Sequence, residues 1–214
     1  MISKKFWWIS LIVSIGVMIP FITPYLNVNP SNSRIQINST SIQYPALIAH
    51  ILFAAIALIT GFLQINARFR EEKPQLHRIV GRVYISSVFI SGLLAFVVIL
   101  YIDHFAKATS FVALTIIWLF TTVKGYVTAR QRNFSEHQKW MIRSFGVTLV
   151  AVSGRLTVPI LLLTYYLLNG FSLPDGREQM VEEVLNVNIW VGLIVNFIII
   201  EWLILNKKKS SGNM

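Results

Sequence analysis

Cysteine is absent from the 214 residues. That removes disulfides, thiolate zinc sites, cysteine-ligated iron–sulfur clusters and thioether-attached haem. Charge is scarce as well. Only 13% of the residues are Asp, Glu, Lys or Arg, against about 25% in an ordinary soluble domain. Acidic residues are the scarcest, 9 against 19 basic ones, leaving a formal net charge of +10. No polar stretch is long enough to fold alone, and no HExxH pattern occurs. A separate soluble domain and a zincin-type hydrolase are therefore both poor fits.

What is present is hydrocarbon. Hydrophobic residues make up 55% of the chain, and mean hydropathy is +0.62. Apolar runs near 20 residues recur, each long enough to cross about 30 Å of bilayer core. They predict an all-α fold, a single membrane domain over residues 1–214 with six transmembrane helices. The spans are expected at about 6–25, 44–66, 77–101, 105–128, 136–168 and 188–205. The first run begins like a signal peptide, but its core is too long and no small-residue cleavage site follows. It reads as a retained span.

The basic residues sort by side. With the N-terminus inside, 15 of the 19 fall in inner segments: Lys4, Lys5, Arg68, Arg70, Lys73, Arg78, Arg82, Lys124, Arg130, Arg132, Lys139, Arg143 and Lys207–Lys209. This bias predicts cytoplasmic termini. It also explains the positive charge without nucleic acid: the partner is the lipid bilayer, and the expected location is a cell membrane, the cytoplasmic membrane if the source is bacterial. Locally, Ser135 with Gln138 suggests a capping box, and Pro159 predicts a kink in the fifth span. Residues Asn169–Val187 read as an outer loop, with a short surface helix at Gln179–Leu185.

Four histidines carry the chemistry. His50 and His104 are expected near the outer face, and His77 and His137 near the inner face, one on each of four consecutive spans. Paired two by two, they would supply the axial imidazoles of one or two b-type haems, a layout similar to the cytochrome b561 class. Such a protein would pass electrons between a membrane quinone and another redox partner. Arg82 and Arg143, with Arg78 and Lys139, would clamp haem propionates, a quinone head or a lipid phosphate. Singly, each histidine also fits a plain role at a helix start or headgroup level. Met141, one turn from His137, is either a soft ligand or packing. The small-residue face His50, Ala54, Ala57, Gly61, Gln64 would hold a planar cofactor or a close neighbouring helix. Arg155 lies within a span, at a cost of at least roughly 2.5–3.5 kcal/mol. It needs a partner or a water-filled cavity. Glu201 is one candidate, though nearer the inner face, and Tyr84, Thr115 and a bound ligand are others. Arg155 and Pro159 together also suit a small transporter or ion-binding protein. A non-catalytic membrane assembly protein is the third reading, and whether the chain is an enzyme stays open.

These residues carry a resemblance. His50, the run His77-Arg78-x-x-Gly81-Arg82-x-Tyr84, and Glu136-His137-x-x-Trp140-Met141-x-Arg143-Ser144 followed by Arg155-Leu156 resemble the bacterial membrane family named domain of unknown function 2306, over about residues 45–165. The resemblance implies a bundle of about six spans. It marks His50, His77, His137, Arg82, Arg143 and Arg155 as positions of interest, leaves His104 outside the motif, and assigns no activity.

Overall fold

The computed structural model describes residues 4–211. Met1–Ser3 of the N-terminal tail lie outside the described residues, as do the side chains of Lys4 and Lys207–Lys209 from the basic set. Among the described residues there are nine α-helices and no strand. They are α1 (Lys4–Ile22), α2 (Gln43–Ile65), α3 (Ala67–Glu72), α4 (Pro74–Ile99), α5 (Phe105–Arg130), α6 (Phe134–Thr148), α7 (Val150–Leu156), α8 (Val158–Leu168) and α9 (Gly176–Ser211). Five of them are long and apolar enough to cross a bilayer, and the bent pair α7–α8 would make a sixth. The protein is an all-α, multi-pass membrane protein.

The helices run up and down, giving the bundle two ends. The α2–α4 and α5–α6 connections and the start of α1 lie at the end that carries most of the basic residues, the basic end. Residues 23–42, 100–104 and 169–175 lie at the other, the loop end. Many large apolar side chains point outward, including Ile12, Leu52, Leu93, Ile116, Ile160 and Phe197. In lipid that is the favourable direction, and association rests instead on close packing of small residues and on interhelical hydrogen bonds.

That packing settles the small-residue face of α2. At Gly61 an added Cβ would run into the Phe145 ring of α6 and lie 3.2 Å from Tyr84 of α4. Ala57 is wholly buried in the same cluster with Phe62, Tyr84, Trp118 and Phe145. The face is bare because neighbouring helices press on it. Gln64 does the same at the basic end, lying over Gly81 and donating from Nε2 to the His77 carbonyl at 3.0 Å.

Three local expectations are corrected. Of the region read as an outer loop, residues 169–175 are one, but the rest, with the expected surface helix, is the beginning of α9, which runs unbroken from Gly176. Its buried Asn186 and Asn188 mimic loop composition, yet Asn188 donates to the Gly154 carbonyl at 3.2 Å. The expected fifth span is three helices rather than one. Its chain bends by 41° between α7 and α8, where Pro159 occupies the first turn of α8. The cap of α6 is Asn133, whose side chain accepts from the Glu136 N–H at 3.2 Å. Ser135 is already inside that helix.

Candidate functional site

Midway through the bundle, α4, α5 and α6 meet in a buried hydroxyl network. Tyr84, with no exposed surface, places its hydroxyl 2.7 Å from Ser144 Oγ and 3.0 Å from Thr148 Oγ1. Trp118 Nε1 donates to Thr148 Oγ1 at 2.9 Å. Thr122 Oγ1 donates to the Trp118 carbonyl at 2.7 Å, and Thr148 Oγ1 to the Ser144 carbonyl at 3.1 Å. Carbonyls only accept, so these two protons are committed. Ser144 then donates to Thr122 at 2.7 Å, and Tyr84 donates into the Ser144–Thr148 pair. Every donor is satisfied, as burial in a low dielectric demands. Tyr84 and Thr115 are therefore not partners of Arg155. Tyr84 serves this network, and Thr115 is buried in α5.

His137 and His77 lie below this network, at the basic end, close enough to interact electrostatically. His137 Nδ1 sits 2.7 Å from the Gly125 carbonyl of α5. A carbonyl cannot donate, so Nδ1 carries the proton and the Nε2 lone pair of the neutral ring stays free. His77 occupies the first turn of α4. Its ring meets Phe69 edge-on with centroids 6.5 Å apart. Its Nδ1 is buried and has no hydrogen-bond partner. Met141 packs on α5. Its sulfur lies 2.5 Å from where a Cβ on Gly125 would be, so it fills the space that the glycine leaves.

The loop-end histidines are not brought together in the same way. His50 Nδ1 lies 2.9 Å from both the carbonyl and the hydroxyl oxygen of buried Ser91, and that hydroxyl donates to the His50 carbonyl at 3.1 Å. His50 thus bolts α2 to α4 and also keeps Nε2 free. His104 is the exposed residue before α5 and makes no side-chain cap bond. No hydrogen bond joins it to His50 among the described residues. Ser91 is fourteen residues beyond His77 on α4, so the two histidine levels are roughly 21 Å apart.

The arginines divide. Arg143 is engaged: its Nε and one terminal nitrogen hold the two carboxylate oxygens of Glu201 on α9 at 2.6 and 3.0 Å, and it stacks on Trp140 at 4.7 Å. Of the candidate partners for Arg155, Glu201 is thus taken by Arg143. Lys139 pairs with Glu136 at 2.5 Å. Arg78 and Arg82 are exposed on α4 and form no ion pair among the described residues. Arg155 reaches the loop end. It bonds the Ala151 carbonyl of its own helix and lies 4.3 Å from the centre of the Phe21 ring.

A family model described as predicted membrane protein (DUF2306) matches residues 47–204. The chain belongs to the DUF2306 family. Comparison with curated proteins and with solved structures gives no match. The DUF2306 match takes in all four histidines, Arg82, Arg143, Arg155 and Glu201, and leaves α1 and Arg34 outside.

Within this DUF2306 region the positioning roles of Ser91 and the Gly125 carbonyl escaped the sequence reading, and Glu201 was read as a candidate partner of Arg155 rather than of Arg143. Only Glu201 carried a signal, as a carboxylate inside an apolar run. A backbone acceptor such as that of Gly125 leaves none.

Proposed function

We propose that the protein is a membrane-embedded one-electron carrier that holds one b-type haem at the basic end, with His77 and His137 as its two axial ligands. The observation that best supports this is the state of the two rings. His137 is oriented by a backbone carbonyl with Nε2 free, and the buried Nδ1 of His77 lacks any partner. A ligating imidazole is typically fixed as His137 is, through its other ring nitrogen, and the buried nitrogen of His77 is left for a ligand to satisfy. The donor set agrees. No group of three or more His, Asp or Glu gathers among the described residues. Zinc takes three or four protein ligands, whereas two axial imidazoles suffice for a haem iron. Such a group, when bound, supplies reversible one-electron transfer.

The chain's own residues orient and charge the site. The Gly125 carbonyl fixes the His137 tautomer. Gln64 holds the first turn of α4 through the His77 carbonyl, and Phe69 packs on the His77 ring. Arg78 and Arg82 offer unpaired positive charge for propionates or a quinone head, a role that Arg143, committed to Glu201, does not share. Exposed His104 is given no ligand role, so one site is proposed rather than two.

Absorption spectra of protein made with ample haem supply test this. A Soret band, and a sharp α band after dithionite, are expected. Protein without either band refutes it. A second reading, solute passage, draws on an open groove of about 180 Å³ between α1, α7 and α9, lined in part by Ser10, Ser14, Ser153 and Asn196. It expects liposome uptake that Ser153→Leu abolishes in protein with no visible absorption.

A further inference from the structure

At the loop end two arginines share one aromatic ring. The guanidinium carbon of Arg34 lies 4.9 Å from the centre of Phe21, and that of Arg155 lies 4.3 Å from it. The two carbons are thus at most about 9 Å apart. They are distant in the chain, Arg34 from the segment after α1 and Arg155 from α7, so the fold brings like charges together. Each is held. Arg34 donates to the Pro20 carbonyl at 2.9 Å, and its backbone N–H donates to the Tyr25 hydroxyl at 3.2 Å. Arg155 is anchored on Ala151.

No carboxylate balances this pair. Neither arginine makes an ion pair among the described residues, where the salt bridges present join Arg68, Arg70, Lys139 and Arg143 to glutamates. Arg155 Nε is buried with no acceptor. Two fixed guanidiniums, at least one N–H unspent, and no internal counter-charge leave an acceptor-rich anion as the missing partner. Phe21 adds cation–π attraction on the ring side.

We infer that Arg34 and Arg155, braced on Phe21, form a binding site for a phosphate-type oxyanion at the loop end of the bundle. The site lies where α1 gives way to residues 23–42. Its occupant is either the phosphate of an anionic phospholipid or a free phosphate from the surrounding solution. The site is separate from the histidine pair, which is at the other end, and does not depend on the haem proposal.

The experiment is native mass spectrometry and thermal denaturation of the purified full chain in a neutral, phosphate-free detergent. One arm adds phosphatidylglycerol and the other inorganic phosphate. Retained lipid with a raised melting temperature identifies the lipid as the occupant. A rise with inorganic phosphate and no retained lipid identifies the free anion. Arg34→Gln, on an exposed side chain, is expected to cut the apparent affinity at least tenfold, and Arg155→Gln more. Arg177→Gln, near the same end, is expected to leave it unchanged. If Arg155→Gln fails to fold, Arg34→Gln alone decides. No response to either ligand, or an unchanged response in Arg34→Gln, overturns the inference.

Discussion

The proton directions in the hydroxyl network make Tyr84→Phe milder than Thr148→Val, although the tyrosine is the larger buried group. Tyr84 only donates within the network, at 2.7 Å to Ser144 and 3.0 Å to Thr148. Removing its hydroxyl leaves Ser144 still donating to Thr122 and Thr148 still accepting from Trp118. No donor is orphaned, and the ring remains. The expected cost is that of one net hydrogen bond, about 0.5–1.5 kcal/mol, at the low end because interhelical bonds in membranes average about 0.6 kcal/mol. Thr148→Val keeps the shape but strips Trp118 Nε1 of its acceptor at 2.9 Å, leaving it only the Tyr84 hydroxyl nearby. A buried unsatisfied donor costs about 1–3 kcal/mol. Reversible unfolding in mixed micelles of rising dodecyl sulfate, followed by circular dichroism, measures both. Tyr84→Phe as damaging as Thr148→Val would refute the assigned directions and with them the claim of a fully satisfied network.

Other consequences are separately measurable. In Gly192→Ala the new Cβ would lie 2.7 Å from the Gly154 nitrogen and 2.9 Å from its Cα. Both are backbone atoms that cannot swing aside, so α9 must move off α7 at about 1–3 kcal/mol. Gly16→Ala, with nothing within 4 Å, is expected to cost nothing in the same titration. Glu201→Leu strands the Arg143 guanidinium and is expected to cost about 1–3 kcal/mol, less than in a deeply buried pair. The Arg143→Leu/Glu201→Leu double variant should recover part of that in a double-mutant cycle. Asn133→Ala should remove about 1 kcal/mol as a lost N-cap, and Ser135→Ala well under half as much, by thermal denaturation.

Much of the architecture was legible because bilayer thickness writes itself into run length. The runs that became α1, α2, α4 and α5 needed no tertiary information. The errors came where polarity had a local cause. Glu178, Glu182 and Glu183 precede the apolar part of α9 and read as loop, yet the helix projects beyond its apolar stretch. Arg143 looked like one more anchor in a basic cluster because its partner is 58 residues away. Which arginine Glu201 meets depends on the register of α9 against α6, and Asn196 on the Gly146 carbonyl at 2.9 Å fixes that register. For the site, the residue types were visible and the depths followed from helix rise. The orienting bonds from Ser91 and Gly125 required the packing of helices. His104 shows the limit of depth alone: it stands at the same end as His50 yet is exposed on the turn before α5.

Electron paramagnetic resonance of the oxidised, haem-supplied protein bears most directly on the histidine pair. A low-spin ferric signal is expected in the natural chain and in His104→Ala, and its loss or conversion to high spin in His77→Ala and in His137→Ala. A chain with no iron signal, or one whose signal is indifferent to His77 and His137, would contradict the assignment.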